Sequence, residues 1–113
     1  MINYVGTRTP NGTIVEVDDG GTRKPLKHIV RHSPDGFEWG YGGSGPADLA
    51  HSILAHHLAV QSVAPALYQA FKFEVIGRLE RDDFVMSSSL VTDWLGERWK
   101  NMSEEEIRSD FAA

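Results

Sequence analysis

A chain of 113 residues with 41% hydrophobic and 24% charged side chains is expected to form one domain, residues 1–113, around a modest core. It has no cysteine, which excludes disulfides, thiolate catalysis and cysteine-ligated zinc. The net charge of −5 is uneven: residues 22–32 carry Arg23, Lys24, Lys27 and Arg31 without an acid, while Glu104, Glu105, Glu106 and Asp110 crowd the C-terminal end.

Residues 2–8 and 13–18 are rich in Val, Ile, Thr and Tyr and predict two strands, with Asn11-Gly12 as the hairpin signal between them. Asp18-Asp19-Gly20-Gly21 breaks the chain again. Over residues 26–32, Leu26, His28, Val30 and His32 alternate with Lys27, Ile29 and Arg31, which predicts a third strand. Ser33-Pro34-Asp35-Gly36 is a turn, and Phe37, Trp39 and Tyr41 alternate on a fourth strand, giving two successive hairpins.

Four glycines then fall within residues 40–45, and Pro46 suits the first turn of a helix. A helix over residues 46–59 should bury Leu49, Ala50, Ile53, Leu54, His57 and Leu58 and turn Asp48, Ser52, Ala55 and Ala59 to water. Pro65 restarts a shorter helix. Residues 71–79 alternate as a half-buried strand, with a continued helix as the alternative because Leu67, Phe71 and Val75 are spaced by four. Phe84-Val85-Met86 is a short strand. Ser87, Ser88 and Ser89 offer caps for a third helix with a stripe of Val91, Trp94, Leu95, Trp99 and Met102. Ser103-Glu104-Glu105-Glu106 is a capping box opening a last helical turn or two, with Ile107 and Phe111 on one side. The fold class is α+β: an antiparallel β-sheet built from N-terminal hairpins, with two to three α-helices on one face.

The glycine run matches G-x-G-x-x-G at Gly40, Gly42 and Gly45, but a dinucleotide site needs a parallel βαβ unit and a later acid, and neither is present. No Lys-Ser or Lys-Thr follows for a phosphate loop, and Pro46 stands where a nucleophile elbow needs glycine. One anion-binding reading survives: the N–H groups of a glycine corner and a helix start, at the positive end of the helix dipole. Its contacts would be Gly42, Gly43, Ser44 and Gly45, with Lys27 or Arg31 as countercharge and Trp39 and Tyr41 alongside. Against it, Pro46 lacks a donor and Asp48 is placed to cap the amides and repel a phosphate. The purely structural alternative has the glycines turning the chain under Trp39 and Tyr41, with Ser44 as the cap. Five histidines raise a metal site, but no H-E-x-x-H occurs and His56 and His57 point about 100° apart on a helix. Asp48 with His28 or His51 is the one acid–base pair to name. No metal and no cofactor is called for.

Taken together, the run from Gly36-Phe37-Glu38-Trp39-Gly40 through Tyr41-Gly42-Gly43-Ser44-Gly45 to Pro46-Ala47-Asp48-Leu49-Ala50 resembles the signature of an uncharacterised domain-of-unknown-function family of bacteriophages, prophages and plasmids. Gln69-Ala70-Phe71-Lys72-Phe73-Glu74-Val75-Ile76 and Val91-Thr92-Asp93-Trp94-Leu95 resemble its second block. The resemblance implies a mobile-element habitat and carries no activity. The expected function is a non-enzymatic, anti-defence-like accessory protein that sequesters a small phosphorylated ligand at the glycine corner. The alternatives are a protein-binding inhibitor of a host defence or regulatory factor, acting through an acidic or aromatic surface, and a small enzyme using Asp48 and a histidine. A homodimer is compatible with each. An acidic chain with one basic stretch is a poor general nucleic-acid binder. No leader pattern opens the chain and no apolar run approaches the ~20 residues of a membrane span, so the bacterial host's cytoplasm is the expected location, without a membrane partner.

Overall fold

The computed structural model describes residues 1–111, apart from the side chain of Phe111, so the expectation for that side chain lies outside the described residues. Four strands, β1 (Ile2–Thr9), β2 (Gly12–Asp19), β3 (Thr22–Pro25) and β4 (Phe84–Ser87), form an antiparallel sheet in the order β3-β2-β1-β4. The helices are α1 (Ser44–Leu58), α2 (Pro65–Glu74), α3 (Ser88–Lys100) and α4 (Glu104–Phe111), with a 3-10 turn over Ile76–Arg78. The architecture is therefore α+β with the sheet begun by the N-terminal strands.

The first hairpin forms where expected, with Pro10-Asn11 at its tip and Gly12 at the exit with φ 123°. The second lies earlier than the alternation predicted. Asp19 pairs with Thr22 around Gly20-Gly21, whose φ values of 61° and 97° suit a two-residue turn that bulkier side chains resist. Asp18 Oδ1 accepts from the Gly21 N–H at 2.8 Å and closes it.

Residues 26–32 and 37–41 are not strands. Leu26 N–H still donates to Val15 O, but beyond it the donors go to side chains of α1. Ile29 N–H binds Ser52 Oγ at 3.0 Å, and the N–H groups of Arg31, His32 and Ser33 all bind the Asp48 carboxylate. Donors spent in this way cannot build a ladder. Phe37 and Trp39 are buried, by packing and not by pairing, while Tyr41 is 40% exposed.

The same contacts overturn the expected exposure of α1. Residues 45–55 are buried without interruption, including Asp48, Ser52 and Ala55, because the irregular segment 26–43 covers the side left free by the sheet and α2. Residues 71–79 follow the helical alternative: α2 runs to Glu74 and the 3-10 turn follows. In α3 the Ser87 hydroxyl accepts from Leu90 N–H, Val91 is buried, and Trp94 and Leu95 pack on the core, while Trp99 remains 50% exposed. Ser103 Oγ accepts from Glu106 N–H at 3.2 Å, as a capping box requires.

Tyr4, Val15, Phe84 and Met86 face the helices and share one core with Trp39, Leu49, Ile53, Leu54 and Phe71. By strand alternation Ile14 and Val85 lie on the opposite face, where they are 49% and 71% exposed. β4 zips onto β1 through Tyr4↔Met86 and Gly6↔Phe84. Gly6 is where the Phe84 ring sits: an added Cβ would lie 2.1 Å from Phe84 Cε2.

Candidate functional site

The corner at residues 40–45 is built by close approach. Gly40 has φ 88°, and its N–H donates to Ile76 O at 3.0 Å. A Cβ on Gly43 would lie 2.4 Å from the Tyr41 ring, and one on Gly45 would lie 2.7 Å from Glu38 Cβ. These contacts fold the chain tightly into α1. Gly43, not Ser44, is the N-cap, and no side chain caps the helix. The expected capping by Ser44 or Asp48 does not occur. Among the described residues the N–H groups of Gly42, Gly43 and Ser44 find no acceptor, whereas Ala47 N–H returns to Gly43 O at 3.1 Å.

Beside this corner lies a cleft of about 320 Å³ lined by Arg8, Glu38, Trp39, Tyr41 and Arg81. Arg8 is fully committed. It grips Glu38 with both terminal nitrogens (2.8 Å and 3.1 Å), donates to the Trp39 and Arg81 carbonyls, and lies 4.5 Å over the Trp39 ring. That grip holds the Glu38 carboxyl below its ordinary range. Arg81 is held more loosely: its guanidinium lies 5.2 Å over the Tyr41 ring, its Nε donates to Gly40 O at 3.5 Å, and it makes no ion pair among the described residues. Tyr41 is 40% exposed, and Phe73, 61% exposed, approaches within 3.8 Å of where a Cβ on Gly42 would be. Lys72 Nζ sits 4.1 Å over the Phe73 ring. Two aromatic rings and a guanidinium without an ion-pair partner among the described residues thus surround the uncapped helix start.

Of the residues predicted to bind, the structure gathers Gly42, Gly43, Ser44, Gly45 and Tyr41 here. Gly45 is buried, and Trp39 lines the cleft but is wholly buried, its indole N–H donated to Asp82 O at 2.7 Å. Lys27 is elsewhere, in a cleft with His56 near the far end of α1. Arg31 sits by the middle of α1, where its charge acts on His51 and Tyr68. Arg81 and Phe73 were missed. Phe73 was legible only through the helical spacing of Leu67, Phe71 and Val75, which turns it away from Phe71; the strand alternation placed both on one face.

Asp48 forms a second, closed arrangement. Its carboxylate accepts from His28 Nε2 at 2.9 Å and from the N–H groups of Arg31, His32 and Ser33 at 2.9–3.2 Å. Burial alone would raise its pKa, but the His28 N–H and the three amides outweigh burial and hold it below the usual carboxylate range. A carboxylate satisfied by four donors is a weak base, so the Asp48–His28 pair ties a loop to a helix before it does proton chemistry. The other histidines are ties as well. His32 Nε2 meets Tyr68 Oη at 2.8 Å, His51 Nε2 accepts from Val63 N–H at 3.0 Å, His56 Nδ1 meets Tyr4 Oη at 2.9 Å, and His57 Nε2 meets Thr92 Oγ1 at 3.2 Å. Among the described residues no group of three or more His, Asp or Glu is placed to hold a metal ion.

The model of a family of unknown function, DUF6166, matches residues 4–97, which takes in most of the sheet, the corner and Asp48 and ends within α3. No curated protein and no solved structure matches the chain.

Proposed function

The chain belongs to the DUF6166 family of unknown function, and for this member we propose a non-enzymatic accessory role in a phage or other mobile element. It acts in the host cytoplasm by binding a small phosphorylated ligand, a nucleotide by chemical class, at the glycine corner. The mobile-element habitat rests on the resemblance carried by residues 36–50. No helix among the described residues is long and apolar enough to cross a membrane.

The observation that carries the ligand reading is the coincidence of three features at one corner. Uncapped amides at a helix start favour a phosphate, Arg81 supplies the countercharge that Lys27 and Arg31 do not, and Tyr41 and Phe73 offer faces on which a base can stack. A panel of nucleotides and cyclic nucleotides, screened by thermal shift, tests this directly. A ligand that binds only the folded chain, at a hundred times its Kd, stabilises it by about 2.7 kcal/mol and raises Tm by several degrees. Arg81→Glu and Ser44→Asp both change exposed positions and should abolish the rise while leaving the fold intact. A panel without any shift overturns the reading.

A second reading is a protein-binding inhibitor of a host factor, favoured by the exposure of Phe73 and Val85 and by the glutamates at the start of α4. Co-purification of a host protein with the wild type, lost in Phe73→Ser, would select it.

A further inference from the structure

We infer that the chain has a second binding site, between the β2–β3 hairpin and the C-terminal end of α1, for a small molecule with a carboxylate head and an apolar body. The cleft there is about 500 Å³ and is lined by Ile2, Val17, Pro25, Lys24, Lys27 and His56, with Asp19 and Thr22 at the hairpin. Its volume lies within the ~300–1,000 Å³ usual for small-molecule sites. Serine 44 and His56 are twelve residues apart on one helix, which separates the two sites by about 18 Å.

The register explains why the cleft exists. Val17 pairs with Lys24, and Asp19 pairs with both Ile2 and Thr22, so all of these side chains emerge on the helix side of the sheet. The helix covering that side stops at Leu58, with Ala59 left-handed at φ 55°. The inner face of the hairpin therefore continues past the helix end, with an apolar floor and lysines at its margin.

His56 completes the polar lining. Tyr4 is wholly buried, and its hydroxyl meets His56 Nδ1 at 2.9 Å. Nδ1 is thus engaged inside the fold, and Nε2, the other ring nitrogen, has no partner among the described residues. Two lysines and a histidine thus line a space whose lining holds a single carboxylate, Asp19. Two lysines against one aspartate suit a monoanion. The helix-end carbonyls of Ala55 and His56 are already taken by the N–H groups of Ala59 and Val60, which lessens their repulsion of an anion. An inward lysine on an edge strand can also serve to prevent edge pairing, but that role needs neither Lys27 nor His56 beside it.

The probe is decanoate, titrated into the ¹⁵N-labelled full chain, with decanol as the uncharged control. Saturable shifts at Lys24, Lys27 and His56 are expected with decanoate and absent with decanol. The double variant Lys24→Gln/Lys27→Gln, with fold checked by circular dichroism, should weaken binding by roughly tenfold, the combined worth of two partly exposed charges. The shifts should persist in Ser44→Asp, because this site does not depend on the glycine corner. Absence of shifts, equal response to decanol, unchanged affinity in the double variant, or loss of the response in Ser44→Asp would each overturn the assignment.

Discussion

Helix α1 meets two sets of backbone N–H groups, and the chain treats them in opposite ways. At residues 31–33 the amides converge on Asp48, a carboxylate that the helix itself supplies and buries completely. At residues 42–44, in front of the same helix, the amides receive no side-chain oxygen, although Ser44 stands among them and Asp48 is only one turn on. An internal anion makes the first set a structural clamp. The second set has the same affinity for negative charge, but nothing in the described chain meets it, and aromatic rings and Arg81 surround it. The lesson is that similar backbone chemistry becomes scaffold or candidate site according to whether the chain provides its own anion.

The sharpest way to break this contrast is Asp48→Ala. Four donors lose their acceptor in a closed environment, so unfolding in urea should show a loss of about 3–5 kcal/mol. A loss under 1 kcal/mol would mean that the segment over α1 does not depend on Asp48.

Acid should attack the clamp side of the molecule next. Burial first, and then the Arg31 charge, hold the His51 imidazole below its ordinary value of 6.5, and burial does the same for His57. The unfolded chain then binds more protons than the folded chain. Stability is full above pH 6.5 and falls as pH drops through the lower folded values. Protonated His51 can no longer accept from Val63 N–H. Asp48, also depressed, adds a second loss of the same sign below its ordinary 3.8. Urea midpoints at a series of pH values should trace both losses, and a midpoint that rises as pH falls from 6.5 would contradict the assignment.

The smallest effect is expected at the corner. Ser44→Asp places a carboxylate at an exposed helix start and should raise stability by about 0.3–1 kcal/mol, while the same charge blocks an anion from binding. Destabilisation there would show that the amides were already satisfied.

Much of this frame is legible in the sequence. The first hairpin, the helix opening at the glycine-proline run, the Ser87 cap and the Ser103 box all follow from local turn and cap chemistry. What was hidden is tertiary. Residues 26–32 alternate as a strand does, yet their donors are claimed by Ser52 and Asp48, which lie 15–23 residues further along the chain. Period-two spacing cannot register that competition. For the same reason Asp48 looked like a water-facing helix residue and proved to be one of the most buried. At the corner the glycines were visible and their neighbours were not: Phe73, from the last turn of α2, and Arg81, from the loop after the 3-10 turn, arrive by packing alone. Lys27, close to the corner in sequence, is carried toward the opposite end of α1 by the course of the loop.

The most direct measurement is a ¹H–¹⁵N titration of the full chain with adenosine monophosphate. The account predicts saturable shifts at the amides of Gly42, Gly43 and Ser44 and at Arg81 Nε, with the amides of Arg31, His32 and Ser33 unmoved because Asp48 already holds them. Shifts at residues 31–33 with none at 42–44, or no saturable change anywhere, would contradict it.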